Sequence, residues 1–578
     1  MIKYVAAIAA VLTLASCEKF LDRPTEDNYN VNNFYKNDQQ LEQAVNYLYN
    51  SPWYDFQRGF IKIGEVMSGN MYWGESPYLN FTTNGTDEDL VNMSYSLWAV
   101  NGHCNTVITN IVNSVGPTQE AKNKYIGEAL VWKAFAYFFM VRTFGPVPII
   151  HDNNKLIESG EYNTVQKVTR EGIYDYIIYT LETAMNMLPK QTSKWDQRID
   201  YYGAEALLAK VYLTKAGLSG NLNNDDLTKA ATYAEDVITK SGRTLTPVYS
   251  DVFRLAPSVY NATGESLISW QWTVADQQWT RQNTLQSDLA MVGFDENGDV
   301  WGGWGGPSVD LADAFGVKVT DDPALRLNEK DSRRKATMMM PGDVYEYFWT
   351  DKGGFDFLRF LFDSEYGAGG PGEMQCQTGT NNVKHLYGDN ADHTAALGVP
   401  AARMANQLPT HLIRLSDVYL IYAEAKFLTG DEPTAREYVN YVRSRAGADE
   451  FTTAITYADI WKERRLELAG EGDRWYDYVR RSYYDMDYCL AELKAQHRSD
   501  YYGLGDLYKD YFETGVWSKK GELSKVGYPG TNNDNPNVTA SSFQLPFPTE
   551  DVVFNQNMSS DAEPVTVENV REAYPYNF

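Results

Sequence analysis

The stretch that most limits what this chain can fold into is "GEALVWKAFAYFFMVRTFGPVPII", residues 127–150. It belongs to a helical pattern over 118–144, with Thr118 as N-cap and Glu120 in the first turn. Ile126, Leu130, Ala134, Tyr137 and Val141 follow at spacings of three or four along one face. The large aromatics of 127–144 are read as core that fills the space between neighbouring helices. Gly145-Pro146 stops the helix: a glycine follows the last turn, then a proline that cannot continue it. The chain restarts as a short apolar run, turned sharply by Pro146 and Pro148.

Such a helix needs others around it, and the sequence supplies them. Helical periodicity recurs at Asp38–Tyr49, with Asp38 as candidate N-cap, and at Arg170–Leu188, Tyr202–Lys215, Leu227–Ser241, Ile413–Leu428, Thr434–Arg445 and Ala458–Arg481. Four of these form two neighbouring pairs with the layout of tetratricopeptide repeats. Ala204, Ala206 and Ala209 in one pair, and Ala423 and Ala425 in the other, permit close helix crossing. Residues 245–407 differ. Gly-rich loops ("VWGGWGG", "GAGGPGE") alternate with strand-like runs ("LISWQWTV", "YEYFWT", "FLRFLFD"), which marks a loop-rich insertion.

The opening "MIKYVAAIAAVLTLASC" has one early Lys and an apolar run too short to span a bilayer. Leu14-Ala15-Ser16-Cys17 resembles a bacterial lipoprotein box, so residues 1–16 are expected to be removed and Cys17 to carry lipid. The formal charge is −26, and losing residues 1–16, with Lys3 their one charged residue, leaves −27. Such a surface repels nucleic acid and anionic membrane. Cys104, Cys376 and Cys489, an odd and scattered trio, form neither a disulfide framework nor a zinc pattern. With 43% apolar residues the chain can bury a large core.

Catalytic signatures are absent: no HExxH, no Walker loop and no GxSxG elbow. "GAGGPG" at 367–372 satisfies GxGxxG, but Pro371 lies inside it and no helix follows. "DENGDV" at 295–300 begins like a calcium loop, yet Val300 stands where an EF-hand needs Gly. No metal site and no cofactor is expected. Glu463, Glu467 and Glu471 recur at i, i+4 with Arg464 and Arg474 among them, the pattern of a buried or half-buried ion network holding a helix end.

Several of these stretches together resemble the SusD-like (RagB/SusD) family of outer-membrane nutrient-binding lipoproteins of Bacteroidetes. They are "CEKFLDRPTE", "YIGEALVWKAFAYFFMVRTFGPVPII", "HLIRLSDVYLIYAEAKFLTG" with "VNYVRSRAG", "ERRLELAGEGDRWYDYVRR" and "LPFPTEDVVFNQN". They occur in family order from Cys17 to Asn557. Two features depart from the pattern: Asn555 is followed by Gln556 where the family has Pro, and residues 558–578 extend past the closing segment. The resemblance implies a mostly α fold in which repeat-like helical pairs form a right-handed superhelical scaffold. A single domain over 17–578 would hold that scaffold at 38–244 and 408–482, the insertion at 245–407 and a C-terminal segment at 483–578.

It further implies a non-enzymatic, cell-surface glycan-binding protein of the outer membrane. Held there by its lipid alone, it would hand oligosaccharide to a TonB-dependent SusC-like transporter. Alternatives are a peptide-binding protein of RagB type and, less favoured, a surface glycosidase, which needs only two carboxylates about 5–10 Å apart. Sugars present apolar C–H faces that stack on flat rings, so candidates are aromatics in Gly/Asn-rich context. These are Tyr72 and Trp73 in "SGNMYWGES", Trp98 and Asn101 in "SLWAVNGH", and Trp301 and Trp304 in "VWGGWGG". Trp98 ranks first, because the resembling family places a binding Trp and Asn just ahead of the 118–144 helix. Trp272, in a strand-like run, ranks lower, and Trp132 and Trp475 are assigned to core.

Overall fold

The computed structural model describes residues 34–74, 76–193, 195–256, 263–275, 279–295, 303, 305–366, 374–376, 378–401, 406–499, 501, 503–517 and 536–578. Cys17, Trp301, Trp304, all of "GAGGPG" and all of "DENGDV" but Asp295 lie outside them. The fold is mostly helical. Its principal helices are α1 (Asp38–Asn46), α2 (Phe56–Ile61), α3 (Glu88–Asn113), α4 (Gln119–Phe144), α5 (Asn153–Ser159), α6 (Arg170–Met185), α7 (Tyr201–Lys215) and α8 (Asn224–Lys240). After the insertion come α9 (Leu415–Leu428), α10 (Glu432–Ala446), α11 (Tyr457–Leu468), α12 (Arg474–Ser482) and α13 (Thr549–Phe554).

Consecutive helices pack in pairs, α3 on α4, α7 on α8 and α9 on α10. α8 also packs on α9, so the scaffold closes across the insertion that separates them in sequence. The alanines expected at the crossings are all buried. Strands are few and short. β1 (Met71–Trp73) pairs antiparallel with β3 (Gly305–Pro307), and β2 (Ser266–Trp270) with β8 (Thr410–Arg414). Within the insertion β4 (Met338–Met339) pairs with β7 (Asn381–Asn382), and β5 (Val344–Tyr345) with β6 (Phe355–Asp356).

α4 is the centre of the main core. Trp132 is fully buried, with Trp53 and Tyr49 at 5.4 and 5.1 Å between ring centroids, and Phe135 stacks on Phe139 at 4.9 Å. Thr118 caps it as expected, accepting from the Ala121 N–H. The cap of α1 is Asn37 instead of Asp38. The Asp38 carboxylate accepts from the Thr118 N–H and hydroxyl, which ties α1 to the start of α4. The insertion has a second core of Met338, Met339, Trp349, Phe355 and Phe360, completed by Leu504 and Tyr508 from the C-terminal region. Residues after Asn557 fold back on α6: Val565 bridges Val168, and the Tyr576 hydroxyl meets those of Thr180 and Tyr176.

Three helix assignments need correction. The Gly/Asn-rich context read around Trp98 is helical: Asn101 and Gly102 lie inside the 26-residue α3, where Asn101 and Asn105 turn inward and donate to the Ile150 carbonyl. "FLRFLFD" forms a helix at Phe357–Phe362, since Phe357, Phe360 and Leu361 recur at helical spacing over the second core. The pattern over 458–481 splits into α11 and α12 at Ala469–Asp473. Gly472 has φ 75°, and a Cβ there would sit 2.2 Å from Phe60 Cε2; a Cβ on Gly64 would lie 2.2 Å from the Gly472 carbonyl oxygen. Two backbones meet there with no room for side chains.

The expected ion network is present, and buried, but it has different partners. Glu467 accepts from Arg414 at 2.6 Å, from Arg333 at 3.4 Å and from Arg445. Arg414 also grips Glu471 through Nε and Nη2 at 2.7 and 2.8 Å, and reaches Glu265 at 3.1 Å. Arg464 and Arg474 instead face Asp477, and Arg464 also faces Asp417, in a neighbouring cluster. Burial favours the protonated form of Glu467, but Arg445, Arg414 and Arg333 outweigh it and hold the carboxyl well below its ordinary 4.5.

Two predictions follow from this packing. Gly472→Ala should destabilise by about 2 kcal/mol or more, measured by denaturant unfolding, because it adds φ strain to a steric clash; an unchanged midpoint would contradict the close approach. Glu467→Gln should cost about 3–5 kcal/mol by leaving buried arginines undercompensated. In the wild type the Glu467 contribution is complete above about pH 4.5 and is lost as pH falls through the lower folded-state value. The loss of stability between pH 7 and pH 3 should therefore be concentrated below pH 4.5 and be shallower in the variant.

Candidate functional site: an aromatic strip along α2 and α3

The site begins at Gly472. Its N–H donates to the buried Glu65 carboxylate at 2.7 Å, which also accepts from Asn70 Nδ2 at 2.9 Å. The Asn70 carbonyl accepts from the Ser308 N–H at 2.8 Å, at the end of β3. The β1–β3 ladder is thereby fixed to the ion network, with Tyr72 opposite Gly306 and Trp73 opposite Gly305. Met71 and Tyr72 are buried, and Trp73, at the end of β1, is half-buried against the main core. A Cβ on Gly305 would lie 2.8 Å from the Trp73 ring, so glycine is needed for the indole to lie against that strand.

α2 runs into a π-helical turn at Lys62–Met67, a feature enriched at functional sites. Four residues apart on this element, Arg58 and Lys62 share one face. Lys62 Nζ lies 5.5 Å from the Trp73 ring centroid and is paired with Asp89 of α3. Arg58 holds Asp288 through Nε and Nη2 at 3.3 and 3.0 Å. Burial raises the Asp288 pKa, and Arg58 opposes it. Beyond Arg58 the half-buried Tyr54 meets Trp279 edge-on at 6.1 Å, and Trp279 is 41% exposed. The Trp279–Arg281 turn is pinned by Thr280 to Ser51 at 3.2 Å. Past Arg281 come Tyr47, edge-on to His103 at 4.9 Å, and Tyr95, 68% exposed on α3.

Trp73, Tyr54, Trp279, Tyr47 and Tyr95 thus mark out a strip of exposed and half-buried rings. Between them, Lys62 with Asp89 and Arg58 with Asp288 pair opposite charges. Flat apolar faces beside compensated charges suit a neutral, extended, polyhydroxylated ligand. Among the described residues no group of three or more His, Cys, Asp or Glu could hold a metal ion.

Of the described residues singled out from sequence, only Trp73 presents its ring to this strip. Trp98 is half-buried, edge-on to Tyr137 at 6.5 Å. One turn to either side of it, Ser94 bonds to Asp551 and the Gly102 carbonyl to Asn153, which places Trp98 between α13 and α5. Asn101 is buried: its Nδ2 is spent on Ile150, and its Oδ1 has no partner. Trp272 is buried, with its N–H on Thr410. Sequence reasoning missed Tyr47, Tyr54, Tyr95 and Trp279. Trp279 carried a usable signal, a tryptophan in the polar run "ADQQWTRQN" with no apolar periodicity to place it in a core.

Known proteins share this architecture. Residues 269–561 match the model of the SusD family, and residues 19–213 match one described as starch-binding associating with outer membrane. A crystal structure containing xylogluco-oligosaccharide superposes with a TM-score of 0.74 at 28% identity, covering 92% of this chain and 100% of the other. A laminarin binding SusD-like protein shares the fold at a TM-score of 0.61 and 22% identity, covering 90% of this chain and 98% of its own. A SusD-like protein of Bacteroides ovatus is 32% identical over 97% of this chain and 98% of its own length. With a family model spanning the insertion and the C-terminal helices, and a relative aligned nearly end to end, the chain belongs to the SusD family.

Proposed function

We propose that this protein captures a neutral glycan of the xyloglucan or β-glucan kind on the strip from Trp73 to Tyr95. Bound oligosaccharide is then delivered to a TonB-dependent SusC-like transporter, with the protein lipid-anchored through Cys17 and facing the cell surface. The observation that carries this reading is the row of exposed and half-buried rings on a surface whose cations are matched by carboxylates. The 28%-identical relative crystallised with xylogluco-oligosaccharide supports the ligand class. Binding without catalysis is part of the proposal: Asp89 and Asp288, two carboxylates of the strip, are each tied to a cation.

Substitutions on the two sides of α3 test the assignment. Trp73→Ala and Trp279→Ala should each weaken xylogluco-oligosaccharide binding per folded molecule by about 2 kcal/mol or more in calorimetry. Trp98→Ala should lower Tm by removing a half-buried ring while leaving affinity per folded molecule intact. The reverse pattern would move the site to Trp98. Release of reducing ends from the same oligosaccharide would identify a glycosidase, and binding of peptide mixtures in place of glycan would identify a RagB-type ligand.

Anchoring has its own test. Cys17→Ala should leave the protein unprocessed or free in the periplasm, without the mass of the acyl chains; unchanged membrane fractionation and mass would refute lipidation. One acyl chain gives only marginal binding, so stable anchoring implies several.

A further inference from the structure

Residues 558–578, the extension past the family's closing segment, play no part in the strip. Their last part runs along α6 as a strap. Val565 bridges Val168, and Arg571 pairs with Glu182 of α6 and lies 4.6 Å from the Tyr179 ring centroid. The Tyr576 N–H donates to the Tyr179 hydroxyl at 3.1 Å.

The end of the strap meets two basic side chains from elsewhere in the fold. Lys133 of α4 is buried, its amine 5.6 and 5.5 Å from the ring centroids of Tyr176 and Tyr576. It donates to Asn105 Oδ1 at 2.6 Å and to the His151 carbonyl at 3.2 Å, neither of them a carboxylate. His151 faces the strap directly. Its Nε2 lies 3.2 Å from the Pro575 carbonyl and its Nδ1 2.9 Å from the Tyr176 hydroxyl, with the Tyr576 ring 4.7 Å away.

These contacts fix one protonation state. A carbonyl only accepts, so Nε2 carries the hydrogen and donates it to Pro575. Nδ1 then accepts from the Tyr176 hydroxyl, which itself accepts from the Tyr576 hydroxyl at 3.3 Å. Both nitrogens of a neutral ring are satisfied, and a proton on Nδ1 would reverse the chain of hydroxyls. Burial, Lys133 and Lys155 of α5 lower the His151 pKa to about 4, against the pull of the Pro575 carbonyl and Asp152. With the strap lifted, the ring returns towards its ordinary 6.5. The open strap therefore takes up the proton first, so docking is complete above pH 6.5 and weakens as pH falls towards 4.

We propose that residues 569–578 are an acid-released latch: they stay docked on α6 while His151 is neutral, and lift when it is protonated, opening Lys133 to solvent.

Hydrogen exchange of the full chain, with rates corrected to the intrinsic rate at each pH, tests this. Protection of 569–578 should fall about tenfold or more between pH 7 and pH 5, while α4 keeps its own. Carboxylates ordinarily titrate below this window. His151→Gln keeps a donor for Pro575 and an acceptor for Tyr176 without a titrating ring, and should abolish the loss. Protection unchanged with pH in the wild type, or a loss that persists in the variant, would overturn the latch. Should the variant's strap be open already at pH 7, the wild-type ring decides, its NMR signal identified by its absence from the variant. A midpoint below about 5.5 upholds the latch, and a higher one overturns it.

Discussion

Glu467 holds arginines from three distant parts of the chain in one buried place: Arg333 from the insertion, Arg414 from the end of β8 and Arg445 from the last turn of α10. Through Arg414 the same cluster takes in Glu265, just before β2, and Glu471, just before the Gly472 turn. Taking so many charges out of water is expensive, and replacing a buried ion pair by apolar packing is often neutral or stabilising. What the arrangement supplies is register. Each guanidinium has a fixed fork of donors, so the insertion can dock on the helical scaffold in one pose only. The two hydrophobic cores on either side have no such directionality.

That register reaches the aromatic strip in a few steps. Glu471 is followed by Gly472, whose N–H holds Glu65 in the π-helical turn, and Glu65 holds Asn70 beside the β1–β3 ladder. Lys62 and Trp73 stand on those two elements. The Trp73 end of the strip therefore stands on backbone tied into the network, and its ring is placed before a ligand arrives. Pre-placement matters for a neutral ligand held by stacking, because ordering mobile side chains would consume much of the small free energy that each stacking contact provides.

Much of this was legible in the sequence where local chemistry decides structure. The core role of Trp132 and Trp475, the Thr118 cap, the paired helices with their alanines and the existence of an ion network all follow from spacing and residue type. The partners within the network do not. Arg333 and Arg414 are far from Glu467 in sequence, while the nearer Arg464 turns to Asp417 and Asp477. α3 was missed because Asn101 and Gly102 give the stretch a Gly/Asn-rich context, although the amides turn inward to satisfy a carbonyl of another segment. The same misreading put Trp98 in a loop and kept the exposed positions of α3, Tyr95 among them, from being recognised as a face. Tyr47 and Tyr54 resemble core aromatics in sequence, and only the tertiary arrangement leaves them at the surface beside Trp279.

The central claim is that glycan lies along the rings of the strip, and a crystal structure of the complex with xylogluco-oligosaccharide tests it most directly. The account predicts sugar rings stacked on Trp73 and Trp279, with the backbone passing Tyr54 and the salt-bridged Arg58. Density for the ligand between α5 and α13 over Trp98, with the Trp73–Trp279 surface bare, would contradict it.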